Sequence, residues 1–260
     1  MSSNAAPMPT DGSMTLFEHL AELRTRIIIC VVAVGVGMLV GFLLYNWVFD
    51  FLLQPYKDLV RANPDTSATG GKLLQIDPLE GFGIRMKTSA YTGIALAMPV
   101  LLWQIWRFVT PGLYPNERRY IIPFVVSALA LFVMGAGLAY YTMPRALQFL
   151  VNIGGDELVT AFAPGKYFQL IVYMMLAFGV GFEFPIILVF LQLAGIVTTD
   201  MLRRVRRYAI VGICILVAVI TPSGDPISML MLSVPMVIFY EVSIIVGSIV
   251  TKRRAARAEA

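Results

Sequence analysis

The sequence predicts an all-α membrane protein with six transmembrane helices, the fifth of them short, and three observations predict it. First, six apolar runs occur at 27–48, 88–106, 120–143, 167–197, 208–220 and 227–250. About 20 residues at 1.5 Å rise each are needed to bridge about 30 Å of hydrocarbon, and all but the fifth run reach or nearly reach that length. Second, a hydrophobic share of 58%, a charged share of 14% and a mean hydropathy of +0.78 lie outside the soluble range. Third, the basic residues gather at the ends of the apolar runs, without the base-stacking or groove-reading motifs of a nucleic-acid binder, despite a net charge of +4.

The chain divides into a polar, disordered tail at 1–13, a six-span membrane domain at 14–250 and a basic, disordered tail at 251–260. Six helices with short connections use nearly all 260 residues and leave no room for a soluble catalytic module. Residues 1–13 lack the basic start of a leader peptide, and the first apolar run is too long for a leader core. With an even number of spans, both termini share a side. If that side is the cytoplasm, the inner segments carry thirteen Lys and Arg against seven outside, so both termini are placed in the cytoplasm, across the inner membrane.

The segment 15–26 reads as an amphipathic helix running into the first span. Thr15 and Glu18 form a capping box, and Leu16, Leu20, Leu23 and Ile27 recur at helical spacing. Glu22 and Arg26 stand four residues apart, so an intrahelical ion pair is one reading of Glu22. In the first span Gly37 and Gly41 form GxxxG beside Gly35, a signal for close helix packing. The outer connections, 49–87 and 144–166, are rich in turn signals, the second bounded by Pro144 and Pro164, and the first carries short surface helices. Trp47, Trp103 and Trp106 fall near span ends, as in an aromatic belt. The inner loop 110–119 is stiffened by Pro111 and Pro115. It presents Glu117 just before a span, where capping by the helix dipole is the modest reading.

Glu183 lies mid-span between glycines and Pro185. A charge at that depth costs at least ~2.5–3.5 kcal/mol, and such residues face a cavity or a partner. Pro185 and the glycines are expected to bend the span there. A neutral Glu183 making one hydrogen bond is the alternative. Thirteen residues in the fifth run give about 20 Å of helix. That mismatch is met by thinning or by partners, or else Arg206 and Arg207 snorkel from an upright helix. Glu241 reads as a structural interfacial group. Cys30 and Cys214 read as small core residues, and His19, the sole histidine, lacks companions for a metal site.

Four motifs occur in order: Glu18-His19-Leu20-Ala21-Glu22 with Arg24 and Arg26; Phe108 through Thr110-Pro111-Gly112 to Glu117-Arg118-Arg119; Gly181-Phe182-Glu183-Phe184-Pro185; and Thr221-Pro222 with Asp225. Together they resemble the TatC family, the polytopic subunits of the twin-arginine protein translocase, from about residue 14 to about 250. The resemblance implies a glove-like concave bundle and a receptor for twin-arginine signal peptides on folded cargo, powered by the proton motive force, with no cofactor and no enzymatic activity. It implies that Glu22 and Glu117 recognise the arginine pair, that Arg24 and Phe108 shape the same site, and that Glu183 faces the concave groove. It also implies docking of single-span TatA-type and TatB-type partners in a homo- or hetero-oligomer, near Thr221 and Asp225. Met229 stands where some members carry glutamine, which removes an interhelical hydrogen bond. From another class, a proton-coupled secondary transporter using Glu183 competes with this reading. No inverted repeat supports it, and no HExxH, GxSxG or phosphate loop supports an enzyme.

Overall fold

The computed structural model describes residues 16–62, 73–75, 77–109, 121–153, 162–193, 195–221 and 224–258. The described residues form eight helices: α1 Leu16–Leu43, α2 Tyr45–Ala62, α3 Glu80–Val109, α4 Ile121–Ile153, α5 Pro164–Gly181, α6 Phe184–Leu193, α7 Thr199–Ile220 and α8 Pro226–Ala258. Five stretches are long and apolar enough to cross a membrane: Leu20–Leu43, Glu80–Phe108, Ile122–Ile153, Pro164–Leu193 and Pro226–Ile249. The tail at 1–13, Thr15 of the expected capping box, and the 110–119 loop with Glu117 lie outside the described residues.

The fifth apolar run is the second half of a longer helix. α7 spans 22 residues, but its first half carries Asp200, Arg203, Arg204, Arg206 and Arg207, so only 208–220 is apolar. Thr198 starts it by accepting a hydrogen bond from the Met201 N–H at 3.2 Å, which satisfies one of the free donors of the first turn. The expected short span is therefore correct in its apolar length, with a polar extension at one end.

Other expectations change. The first span ends at Leu43, not 48, because the chain turns at Leu44 into α2. α2 is amphipathic and buries Leu52, Tyr56 and Leu59. Pro55 inside α2 has no N–H for the Phe51 carbonyl. The Tyr140 hydroxyl of α4 donates to that carbonyl at 2.9 Å, and its ring stacks on Phe51 with centroids 4.4 Å apart. Next along, the Tyr167 hydroxyl of α5 donates to the Leu52 carbonyl at 2.6 Å. A proline that breaks the helix ladder thus creates the point at which two tyrosines fasten α2 across the bundle end. Pro144 does not bound a loop. It sits inside α4, which runs on to Ile153 because Met143, Ala146 and Leu147 are all buried. The basic segment expected to be disordered is helical as far as Ala258, where α8 ends.

α1 packs chiefly on α3, α5 on α4, and α6 and α7 on α8, which leaves α1 and α7 at the two edges. Only 11% of the apolar window of α1 is buried, against 50% for the α5–α6 unit, so the latter is the centre of the fold. The main core joins Tyr56, Tyr167, Phe178, Phe182, Leu232 and Tyr240. A second core holds Met98, Leu102, Trp106, Phe132 and Ile186. Trp106 therefore departs from the aromatic belt. It is 7% exposed and packs on Phe124 and Phe190, whereas Trp47 is 76% exposed. Cys30 is half-buried and Cys214 exposed, so neither is a core residue.

Candidate functional site

The register of α1 on α3 positions the residues at the arginine-rich end of the bundle. A Cβ on Gly37 would lie 2.5 Å from the Gly93 carbonyl oxygen, and one on Gly93 would lie 2.5 Å from the Met38 backbone nitrogen. The backbones touch, and only hydrogen at these positions allows it. Gly41 faces Ser89 in the same seam, so the expected GxxxG packing is present, while Gly35 has nothing within 4 Å and takes no part. The helices are antiparallel: as numbers fall on α1 from Gly41 to Gly37, they rise equally on α3 from Ser89 to Gly93. At the same register, Arg26 donates to the Gln104 side-chain oxygen at 3.3 Å. One helical turn further places Glu22 level with Phe108.

Glu22 and Arg26 form the intrahelical ion pair that their spacing predicts, with side chains 23% and 12% exposed. The pair engages Glu22 Oε1. Glu22 Oε2 is buried without a hydrogen-bond partner among the described residues. A carboxylate offers about four acceptor positions, so Glu22 retains capacity for a second cation. Arg24 is exposed and turned away from this seam, and Phe108 is half-buried. The α1–α3 register thus sets Glu22 and Phe108 at the same level, and Arg24 is exposed.

Glu183 occupies the break between α5 and α6. The Glu183 N–H donates to the Val180 carbonyl at 3.0 Å, and its own carbonyl accepts from the Ile187 N–H at 3.1 Å. Pro185 falls in the first turn of α6, where its missing N–H costs no intrahelical bond. The helix is therefore interrupted where the sequence leads one to expect a bend. Glu183 is 8% exposed, and its Oε1 has no partner among the described residues.

The α7–α8 turn gathers a third polar group. Asp225 is 1% exposed and accepts the Ser228 N–H at 2.7 Å, capping α8 immediately before Pro226. Thr221 and Ser228 are both buried, with hydroxyls that have no partner among the described residues. Met229 is half-buried against the main core, so it lends no hydrogen bond. Ser228 was not singled out by sequence reasoning, although it lies three residues from Asp225 at the position a cap would serve.

Four further polar contacts escaped the sequence. Gln192 is 2% exposed and ties three helices: its amide donates to the Ser243 carbonyl at 2.9 Å and its oxygen accepts from the Thr199 hydroxyl at 3.3 Å. It lies directly over Gly247, where a Cβ would collide with the amide group. The signal was present, since Ser243 and Gly247 form a small-xxx-small pair on α8. Glu80 reaches from α3 to accept the Gly165 N–H at 2.8 Å, supplying the N-terminal cap that Ala163 cannot give α5. Arg206 of α7 grips Glu241 of α8 through two contacts, at 2.8 and 2.9 Å, so Arg206 is paired instead of snorkelling alone and Glu241 is structural as expected. Arg207 bonds the Tyr208 hydroxyl at 2.9 Å.

The fold and these sites define a multi-span helical membrane protein with a half-buried carboxylate at its basic rim, a central span interrupted at a second carboxylate, and a polar turn between its last two helices. The family model for Sec-independent protein translocase protein TatC matches residues 18–235. A TatC from Frankia casuarinae is 40% identical over 253 residues, covering 96% of this chain and 70% of its own length. One from Aquifex aeolicus is 34% identical, covering 93% of this chain and 98% of its own. A crystal structure of the twin-arginine translocase receptor TatC in DDM superposes with a TM-score of 0.74 at 34% identity, covering 88% of this chain and 99% of that one. The chain belongs to the TatC family, and it is a membrane-embedded subunit of a Sec-independent protein translocase.

Proposed function

We propose that this chain is the receptor that captures the two adjacent arginines of a signal peptide on folded export cargo, at its cytoplasmic rim. The observation that carries the reading is the Oε2 of Glu22, buried beside Arg26, level with Phe108 and without a partner among the described residues. An arginine presents a planar fork of permanently charged donors, which a carboxylate can accept through two parallel bonds. Lysine keeps the charge but loses the fork. A fully exposed pair is worth only ~0–1 kcal/mol, so a half-buried acceptor at the membrane edge is the better docking point. Glu117 supplies the second carboxylate on this reading. Arg24 and Arg107 are exposed nearby and repel a basic peptide placed elsewhere.

The positive-inside bias supports cytoplasmic termini. The open edge of α7, where Val211, Ile215 and Val219 are exposed, suits single-span TatA-type and TatB-type partners, and Asp225 caps α8 beside the buried Thr221 and Ser228. The transmembrane proton gradient drives transport through that assembly. Placing a photoreactive residue at position 117 and offering peptides with Arg-Arg or Lys-Lys tests the receptor role. Cross-linking that favours Arg-Arg supports it, and equal labelling by both peptides refutes it.

One observation favours a second reading, a proton-coupled secondary transporter: the buried carboxylate of Glu183 has an oxygen without a partner among the described residues. Solute-coupled flux through vesicles containing this chain alone would select that reading over the receptor.

A further inference from the structure

We infer that Arg85, stacked on Phe42 and Tyr45, is a binding site for the phosphate of an anionic phospholipid in the leaflet at the α2 end of the bundle. The Arg85 guanidinium carbon lies 4.3 Å from the Phe42 ring centroid and 5.1 Å from that of Tyr45. The rings come from the end of α1 and the start of α2, so the cation sits where three helices meet. Both rings attract the cation through their π-systems, and neither supplies an anion to neutralise it. No described carboxylate pairs with Arg85, and its Nε is buried without an acceptor.

The charges on surrounding elements are committed or turned away. Glu80 is engaged with the Gly165 N–H of α5. Asp58 pairs with Arg61 near the far end of α2, and Asp50 is exposed. Lys87 lies on the other side of α3, with Thr88, Gly165 and Phe168. Among the described residues, Arg85 is thus a cation without a carboxylate partner.

Its depth selects the ligand. Arg85 and Arg107 stand 22 residues apart on one continuous helix, or about 33 Å, close to the ~30 Å of a hydrocarbon core. With Arg107 at one headgroup level, Arg85 stands at the other. The surface around it is apolar and exposed: Leu43 is 82%, Trp47 76% and Phe82 67% exposed. Below it on α1, Leu39 is exposed as well, along a face suited to an acyl chain. A guanidinium fork framed by lipid-facing aromatics meets the phosphodiester oxygens of a phospholipid bidentately. The missing counter-carboxylate favours a lipid with net negative charge.

Native mass spectrometry of the purified full-length chain with phosphatidylglycerol or phosphatidylcholine tests this, with glycerol phosphate and inorganic phosphate as soluble competitors. The wild-type chain retains phosphatidylglycerol in preference to phosphatidylcholine. Arg85→Leu weakens that retention by at least about tenfold, the scale of one charge-assisted hydrogen bond. Arg85→Lys, which keeps the charge and so guards against a folding defect, falls between the two. Equal retention by wild type and Arg85→Leu overturns the site. Displacement by millimolar inorganic phosphate also overturns the lipid assignment, since it marks a site for soluble anions.

Discussion

Replacing Gly93 by alanine tests the seam on which the rim geometry depends. The new Cβ would lie 2.5 Å from the Met38 nitrogen and 2.7 Å from its Cα. Both are backbone atoms and cannot rotate aside. Restoring an ordinary 3.4 Å contact requires the helices to part by about 1 Å. Overpacking of this kind costs about 1–3 kcal/mol. The same parting stretches the Arg26–Gln104 hydrogen bond, already 3.3 Å, beyond bonding range. Two readouts should therefore move together: the thermal midpoint in detergent should fall, and binding of an Arg-Arg peptide should weaken. Gly35→Ala is the matched control, because its Cβ meets nothing within 4 Å. That variant should stay within about 0.5 kcal/mol of wild type. If Gly93→Ala and Gly35→Ala prove equally stable, the backbone contact is not what sets the spacing, and the alignment of Glu22 with Phe108 loses its basis.

Three other outcomes are expected. Gln192→Leu should destabilise the chain by about 1–3 kcal/mol, since it strands the Thr199 hydroxyl and the Ser243 carbonyl in a buried place; a thermal midpoint equal to wild type would refute the three-helix tie. Tyr167→Phe should cost about 0.5–1.5 kcal/mol and speed proteolysis of α2, by removing the donor to the Leu52 carbonyl; unchanged cleavage would mean that apolar packing alone holds α2. A double-mutant cycle on Arg206 and Glu241 should return no more than about 1 kcal/mol, because the side chains are 50% and 36% exposed and water screens them; a coupling of several kcal/mol would show that the bilayer buries the pair.

The spans were legible because lipid demands long apolar runs, and nothing else in the sequence produces them. The break at Glu183 was legible for a similar reason: Pro185 and the glycines mark a place where a helix ladder fails. Boundaries were less legible. Residues 43–48 are apolar but for Asn46 and hold no Gly or Pro, so the turn at Leu44 is not marked locally; α2 is instead docked under Tyr140 and Tyr167. Pro144 reads as a stop locally, yet buried Met143 and Leu147 carry the helix past it. Trp106 has the composition of a belt residue and was claimed by Phe124 and Phe190 from distant helices. At the rim, the Glu22–Arg26 pair follows from helical spacing, but its alignment with Phe108 needs the α1–α3 register. Gln192 was missed because a lone polar residue has no periodicity, and its partner Ser243 lies 51 residues away.

The central claim is that Glu22 and Glu117 receive the two guanidinium groups. Equilibrium binding of an Arg-Arg signal peptide to the purified chain, compared among wild type, Glu22→Gln, Glu117→Gln and the double variant, tests it most directly. Each single change should weaken binding, and the double change should reduce it to the level of a Lys-Lys peptide. Undiminished affinity in the double variant would contradict the account.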